Sequence, residues 1–171
     1  MENILMACEQ NEWNKAGIVG YPFDLQSKEV EVLSFILPLS HDYPCIESWY
    51  IEKVVPGLRN GTRKIERVER NGKLVALGIA KHEEGEKKIC TVRVLPEYFG
   101  RGMGVRVFES LMSWLGTDLP HATVSEDKLP AFDKLFTKMG YNLTSTESGL
   151  YREGKVEYKF NETISFPPRL S

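Results

Sequence analysis

A strand-like run over residues 88–95 ends at Pro96, three glycines follow at Gly100, Gly102 and Gly104, and an apolar helical pattern begins at once. Few backbone paths satisfy that order. Glycine reaches positive φ without strain and lets the chain approach a partner closely. The first N–H groups of a helix have no partners inside it, and the macrodipole adds partial positive charge there. A strand, a glycine turn and a helix N-terminus together make an anion cradle from backbone alone. A turn that merely connects strand to helix is the competing reading. Other phosphate loops fit worse. A dinucleotide fingerprint needs glycine at 105 or 107, where valine stands. A Walker loop needs Gly-Lys-Ser/Thr, which is absent.

The elements around this turn follow from periodicity and punctuation. Residues 28–37 alternate and then turn apolar, which predicts a first strand. Residues 46–58 carry Trp49, Val54 and Leu58 among polar residues, which predicts an amphipathic helix. Strands are predicted over 64–69 and 74–81, joined by Asn71-Gly72, the strongest short hairpin signal. Residues 83–86, with Gly85, turn the chain again into the strand 88–95. A helix over 105–115, a short strand over 121–125, a helix over 129–139 and two closing strands near 142–151 and 155–160 complete the order. The predicted class is α+β, with one mixed, mostly antiparallel sheet flanked by helices. Residues 1–171 read as one domain, with 1–27 a candidate irregular arm.

Composition narrows the functions. The 171 residues carry a net charge of −2, so no overall field draws the chain to nucleic acid or to an anionic membrane. The apolar run near the N-terminus is too short for a signal sequence, and no stretch has the length of a membrane span. A cytoplasmic protein is therefore expected. Cys8, Cys45 and Cys90 are odd in number and widely spaced, which supports neither a disulfide framework nor a zinc site. His41, His82 and His121 are dispersed without metal-ligand spacing, so no metal is expected.

Residues 94–104, continued by Val105-Arg106-Val107-Phe108, resemble the acetyl-CoA-binding motif of the GNAT N-acetyltransferases. That pattern runs Val-x-Pro, then Arg/Gln-x-x-Gly-x-Gly/Ala, then an apolar helix, and Gly102 and Gly104 fall on its two small positions. The order of elements matches over about residues 28–160, and Gly140-Tyr141 after the helix 129–139 is similar to the family's late Gly-Phe. The resemblance implies a GNAT-like fold and an acetyl-CoA-dependent N-acetyltransferase that moves acetyl directly to an amine. It implies that the strand before the turn splays from its neighbour. Backbone groups of Val92 and Val94 would then pair with the pantetheine arm. An N–H near Val94 or Leu95 would face the oxyanion. The N–H groups of Gly100, Arg101, Gly102, Met103, Gly104 and Val105 would hold the pyrophosphate, with the Arg101 side chain as an added contact.

The sequence departs from the family pattern where protons are handled. Phe99 stands at the Arg/Gln position, Lys88 where some members carry a glutamate base, Phe136 where many carry a tyrosine acid, and Leu129 in place of an asparagine. A lysine with an ordinary pKa of about 10.4 cannot serve as that base. Attack on a thioester needs a neutral amine and hence a base. Glu126, just past the strand 121–125, is the first candidate, and Glu66 a weaker one. Ser125 is a candidate donor to the cofactor thiol or substrate, or else a cap for the next helix. Tyr98, Tyr141 and Tyr151 carry further hydroxyls. Three functions stay open: transfer to a small-molecule or peptide amine; acetyl-CoA sensing without catalysis; and acylation of RNA or a protein. The last is supported by a basic rim of Arg59, Arg63, Lys64 and Arg67 and opposed by the acidic balance. Closing strands on a sheet edge are also able to pair two copies into a homodimer.

Overall fold

Residues 24–163 are described by a computed structural model; the candidate arm over 1–27 lies outside them except at its end. The first element corrects an expectation. Residues 28–37 form no strand but helix α1 (Ser27–Ile36). Its buried residues are Glu29, Val32, Leu33 and Ile36, spaced three and four apart. That is the helical period. The local alternation through Val30 is a coincidence, since Val30 faces solvent. The Gln26 N–H donates to Glu29 Oε2 at 2.7 Å, which closes the start of the helix.

A 3-10 turn (Leu37–His41) leads into α2 (Ile46–Trp49), a π-helical turn (Tyr50–Val54) and α3 (Val55–Asn60). This is the helix expected over 46–58. Tyr50 is fully buried and donates its hydroxyl to the Glu29 carbonyl at 2.9 Å, which ties this run to α1. Cys45 is disulfide-bonded, which corrects the expectation that no pairing is supported. Cys90 is half-buried, and its Sγ accepts from Arg63 at 3.8 Å.

The meander follows as read: β1 (Arg63–Arg70), β2 (Lys73–Glu83) and β3 (Glu86–Val94), antiparallel throughout. Asn71 and Gly72 turn the first hairpin at φ 53° and 73°, the positive values that a tight hairpin requires. Then come α4 (Met103–Leu115), β4 (His121–Ser125), α5 (Leu129–Met139), β5 (Leu143–Ser148) and β6 (Val156–Phe160). The six strands form one sheet in the order β1-β2-β3-β4-β6-β5. Only β3 and β4 run parallel, so the sheet is mixed and mostly antiparallel, as expected.

Each face of the sheet carries its own core. On one, α4 and α5 bury Val107, Phe108, Leu111 and Phe136 against Ala76, Ile89, Ala122 and Val124. Phe108, Phe132, Phe136, Tyr141 and Phe160 interlock there with ring centroids 4.8–6.3 Å apart. On the other face, α1 to α3 bury Val32, Ile36, Trp49, Tyr50 and Val54 against Leu74, Leu77 and Ile79. Among the described residues, no helix is long and apolar enough to cross a membrane.

Candidate functional site

The site begins where the sheet comes apart. β3 and β4 are paired at only two positions, Lys88 with His121 and Ile89 with Ala122. A bulge in the β2–β3 ladder precedes the separation: Ile79 pairs with Thr91 but Ala80 with Ile89, leaving Cys90 as the extra residue. A bulge bends a strand and sharpens its twist, here carrying residues 91–94 away from 123–125. The Leu95 N–H donates to the Val75 carbonyl at 2.9 Å. Successive peptide groups of a strand point to opposite sides, so those of Val92 and Val94 face away from β2, toward the gap. The Leu95 N–H is thus committed to the sheet, and of the two candidate oxyanion donors only Val94 faces the opening.

Past β3, a 3-10 turn (Pro96–Tyr98) leads to the glycines. Gly100 and Gly102 have φ of 74° and 73°, so both positions need glycine for conformation. Gly102 is the N-cap of α4, and no side chain caps that helix. The Arg106 N–H is the first bonded back, to the Gly102 carbonyl at 3.1 Å. The N–H groups of Met103, Gly104 and Val105 therefore precede the internal ladder of the helix. Gly104 needs no positive φ, and a Cβ built on it would come no nearer than 3.9 Å, to Val94 Cγ2. Nothing in the protein demands glycine there; the space above it is open. A pyrophosphate fits this arrangement, because donors, dipole and room coincide. Arg101 stacks its guanidinium over the Tyr98 ring at 5.3 Å beside the turn, and Phe99 is 66% exposed.

The candidate proton carriers are less alike than the sequence implied. Ser125 is wholly buried, and its Oγ has no hydrogen-bond partner. It does not cap α5, whose N-cap is Lys128 without a side-chain bond. Glu126 accepts the Val156 N–H at 3.2 Å and returns its own N–H to the Val156 carbonyl at 2.9 Å, clasping β4 to β6. Glu66 accepts the Ser110 hydroxyl at 2.7 Å and lines a separate 370 Å³ cavity with Arg67, Arg70, Arg106 and Glu109. Phe136 is core, and the Tyr141 hydroxyl meets Met112 Sδ at 3.2 Å. Lys88 is buried in register with Lys81 and His121.

One group went unread. Glu157 on β6 pairs in register with Ser125 on β4, is 2% exposed, and holds its Oε2 without a hydrogen-bond partner. Burial pushes its carboxyl up to about 7; Asp42 and Asp127 add to the rise, while Arg152 and Lys88 oppose it. Tyr43 and Tyr151 meet edge to face beside it, ring centroids 5.3 Å apart, both hydroxyls pushed above their ordinary range by burial first and by nearby Glu157 as well. The Val-Glu-Tyr-Lys-Phe alternation of β6 reads as one apolar and one solvated face. In the fold Glu157 and Lys159 on the second face are both buried, with Tyr43 and Tyr151 close to Glu157.

Known structures share this architecture. A GNAT-family protein from Desulfovibrio desulfuricans superposes with a TM-score of 0.61 at 14% identity, over 80% of this chain and 92% of the other. An aminoglycoside 6'-N-acetyltransferase complexed with coenzyme A gives 0.58 at 14% identity, over 85% and 97%. An Escherichia coli N-acetyltransferase of a ribosomal-protein alanine gives 0.55 at 20% identity, over 70% and 81%. No family model and no curated protein matches the sequence itself. The fold is that of the GNAT acetyltransferases, and the splayed β3–β4 edge with its glycine turn lies where the sequence resemblance placed it.

Proposed function

We propose that this protein is an N-acetyltransferase that binds acetyl-CoA along the β3–β4 gap and passes the acetyl group directly to a primary amine. The carrying observation is the join of an unpaired strand edge to an uncapped helix N-terminus. Residues 91–94 offer peptide groups to an extended amide-bearing chain, and the turn that follows offers N–H groups to the phosphates at its end. In this reading Val92 and Val94 pair with the pantetheine amides. Gly100, Arg101, Gly102, Met103, Gly104 and Val105 surround the pyrophosphate. The Val94 N–H faces the developing oxyanion, and Leu95 braces it through its bond to Val75. Ser125 donates to the thiol. Glu126 is the sequence's candidate base; its clasp on Val156 gives it a second, structural duty.

The neighbouring aminoglycoside and ribosomal-protein acetyltransferases support an amine acceptor, either a small molecule or a protein. RNA is disfavoured, because the basic rim is largely taken up within the protein. Arg59 pairs with Glu29, Arg67 with Glu31 and Glu69, and Arg63 is buried over Trp49. A homodimer would add its second copy along β5, an edge of the sheet.

Calorimetric titration with acetyl-CoA tests the placement. Micromolar binding is expected, lost in Gly104→Glu, which fills the open space above α4 and adds a like charge. A folded Gly104→Glu protein that keeps wild-type affinity overturns it. A second reading, acetyl-CoA sensing without turnover, is favoured by one observation: Phe136 is sealed in an aromatic core and carries no proton. Release of CoA thiol with any amine, abolished by Gly104→Glu, removes that reading.

A further inference from the structure

Three side chains on one sheet face share an unusual condition. Ala122 and Val124 join the core under α4 and α5, so alternation along β4 turns Thr123 and Ser125 to the other face. Phe160 lies in the same core, which turns Glu157 to that other face as well. Thr123 Oγ1, Ser125 Oγ and Glu157 Oε2 are all buried there without hydrogen-bond partners among the described residues. Buried polar atoms in native proteins are nearly always paired, and each one left unpaired bears its full desolvation cost. Three together, beside the strand edge that opens from β3, mark a place built for a polar guest.

We propose that Glu157 is the general base of the transfer, and that the acceptor is a primary ammonium reaching it on the face opposite α4, where Tyr43 and Tyr151 pack beside it; this rests on the acetyl-CoA reading above. Adjacent strands lie about 4.8 Å apart, so Glu157 stands one strand beyond Ser125, whose strand borders the gap. Its charged and titratable surroundings come from every element packed on it. They are Lys88 from β3, Asp42 from the turn after α1, Asp127 from the β4–α5 link, Arg152 from the β5–β6 turn, Glu147 across the β5–β6 register, and the two tyrosines. Asp42 and Asp127 are already engaged, with Lys128 and Arg152 and with Arg152 and Lys155. Glu157 keeps an oxygen with no partner. Glu126 is then a positioning residue, holding Val156 next to the base.

The bookkeeping of atoms closes. The Glu157 carboxylate takes one proton from the ammonium. The neutral nitrogen attacks the thioester carbon, the C–N bond forms, and the C–S bond breaks with its electron pair leaving on sulfur. The proton now in excess on nitrogen passes through the Ser125 hydroxyl to the thiolate. Products are the amide and CoA thiol, and Glu157 resets by releasing its proton to water.

The test compares wild type with Glu157→Gln and Glu126→Gln. Acetyl-CoA affinity is measured first; its absence in wild type sinks the cofactor reading rather than the base. With affinity retained, thiol release is followed with linear primary alkylamines and with hydroxylamine, which is already neutral at pH 7. Glu157→Gln is expected to lose at least about 100-fold with alkylamines, to lose the acid limb of the pH profile, and to keep its rate with hydroxylamine. An unchanged profile in Glu157→Gln, or the limb lost in Glu126→Gln instead, overturns the assignment. Carbon NMR of the glutamate carboxyls decides even if wild type uses none of these amines. A resonance titrating near neutrality, missing in Glu157→Gln and moved by acetyl-CoA, supports the proposal; one that acetyl-CoA leaves in place overturns it.

Discussion

Glu157 shows how burial, helped by neighbouring carboxylates, changes what a residue is. In the unfolded chain its carboxyl ionises in the ordinary glutamate range; in the fold, burial holds it protonated to about pH 7. A raised carboxyl pKa means the folded state binds the extra proton, so its contribution to stability is complete below about pH 4.5 and is lost as pH rises through 7. Glu157→Gln mimics the protonated form at every pH. Its stability in urea melts is expected to match wild type at pH 4 and to exceed it at pH 8 by up to about 3 kcal/mol. Equal stability at both values would show that the carboxyl is not strained by ionisation. A site residue that weakens the fold when charged and vanishes from the sequence as an ordinary alternating glutamate could not be read in advance. Gly100 and Gly102 could, because the need for positive φ is written into residue type.

At the scale of elements, legibility followed the strength of the local signal. The helix Leu129–Met139 and the strand His121–Ser125 were readable to their ends, and the hairpin at its Asn71-Gly72 turn, since turn chemistry and long apolar stripes compete with nothing. α1 was not. Over Lys28 to Val32 a period of two and a period of 3.6 both fit, and the choice was made by contacts with α3, where Arg59 reaches Glu29 at 2.9 Å. The seat of α4 was equally silent. Gly78 on β2 lies under it so closely that a Cβ would stand 2.4 Å from Val107 Cγ1 and 2.7 Å from Leu111 Cδ1. Gly78→Val is therefore expected to destabilise by about 1–3 kcal/mol through overpacking. It should also weaken acetyl-CoA binding in the folded fraction, because the helix that shifts carries the phosphate cradle. Thermal melts and calorimetry on one sample check both; loss of stability with affinity intact would mean that α4 tilts about its N-terminus.

For the molecule as a whole, charge is arranged to be spent internally. Arg59 and Arg67 on one side, Lys81 and His121 on Glu86 at the start of β3, and Lys159 on Glu147 near the closing edge all meet carboxylates. A polyanion finds few bare cations in these groups, and RNA binding by filter assay is expected to be weak and nearly independent of salt. A steep fall with salt would instead reveal phosphate contacts and revive a nucleic-acid acceptor. The general outline of the molecule, α+β with one mixed sheet, was readable because strand and helix signals followed one another in order. Its two-sided core was not, since which helix covers which face is decided by the crossover at β3–β4 and not by any segment alone.

That crossover has a mechanical consequence. The six strands are two three-stranded panels, β1-β2-β3 and β4-β6-β5, joined by a backbone hinge two residue pairs long. Elsewhere the panels are held by side chains: Phe108 on Phe136 above, Tyr43 on Tyr151 and Asp42 on Arg152 below. Pulled apart across that line, such a sheet would part like a zipper with two teeth engaged. A guest whose amides bridge both lips would act as a stitch, making the two panels bear load as one.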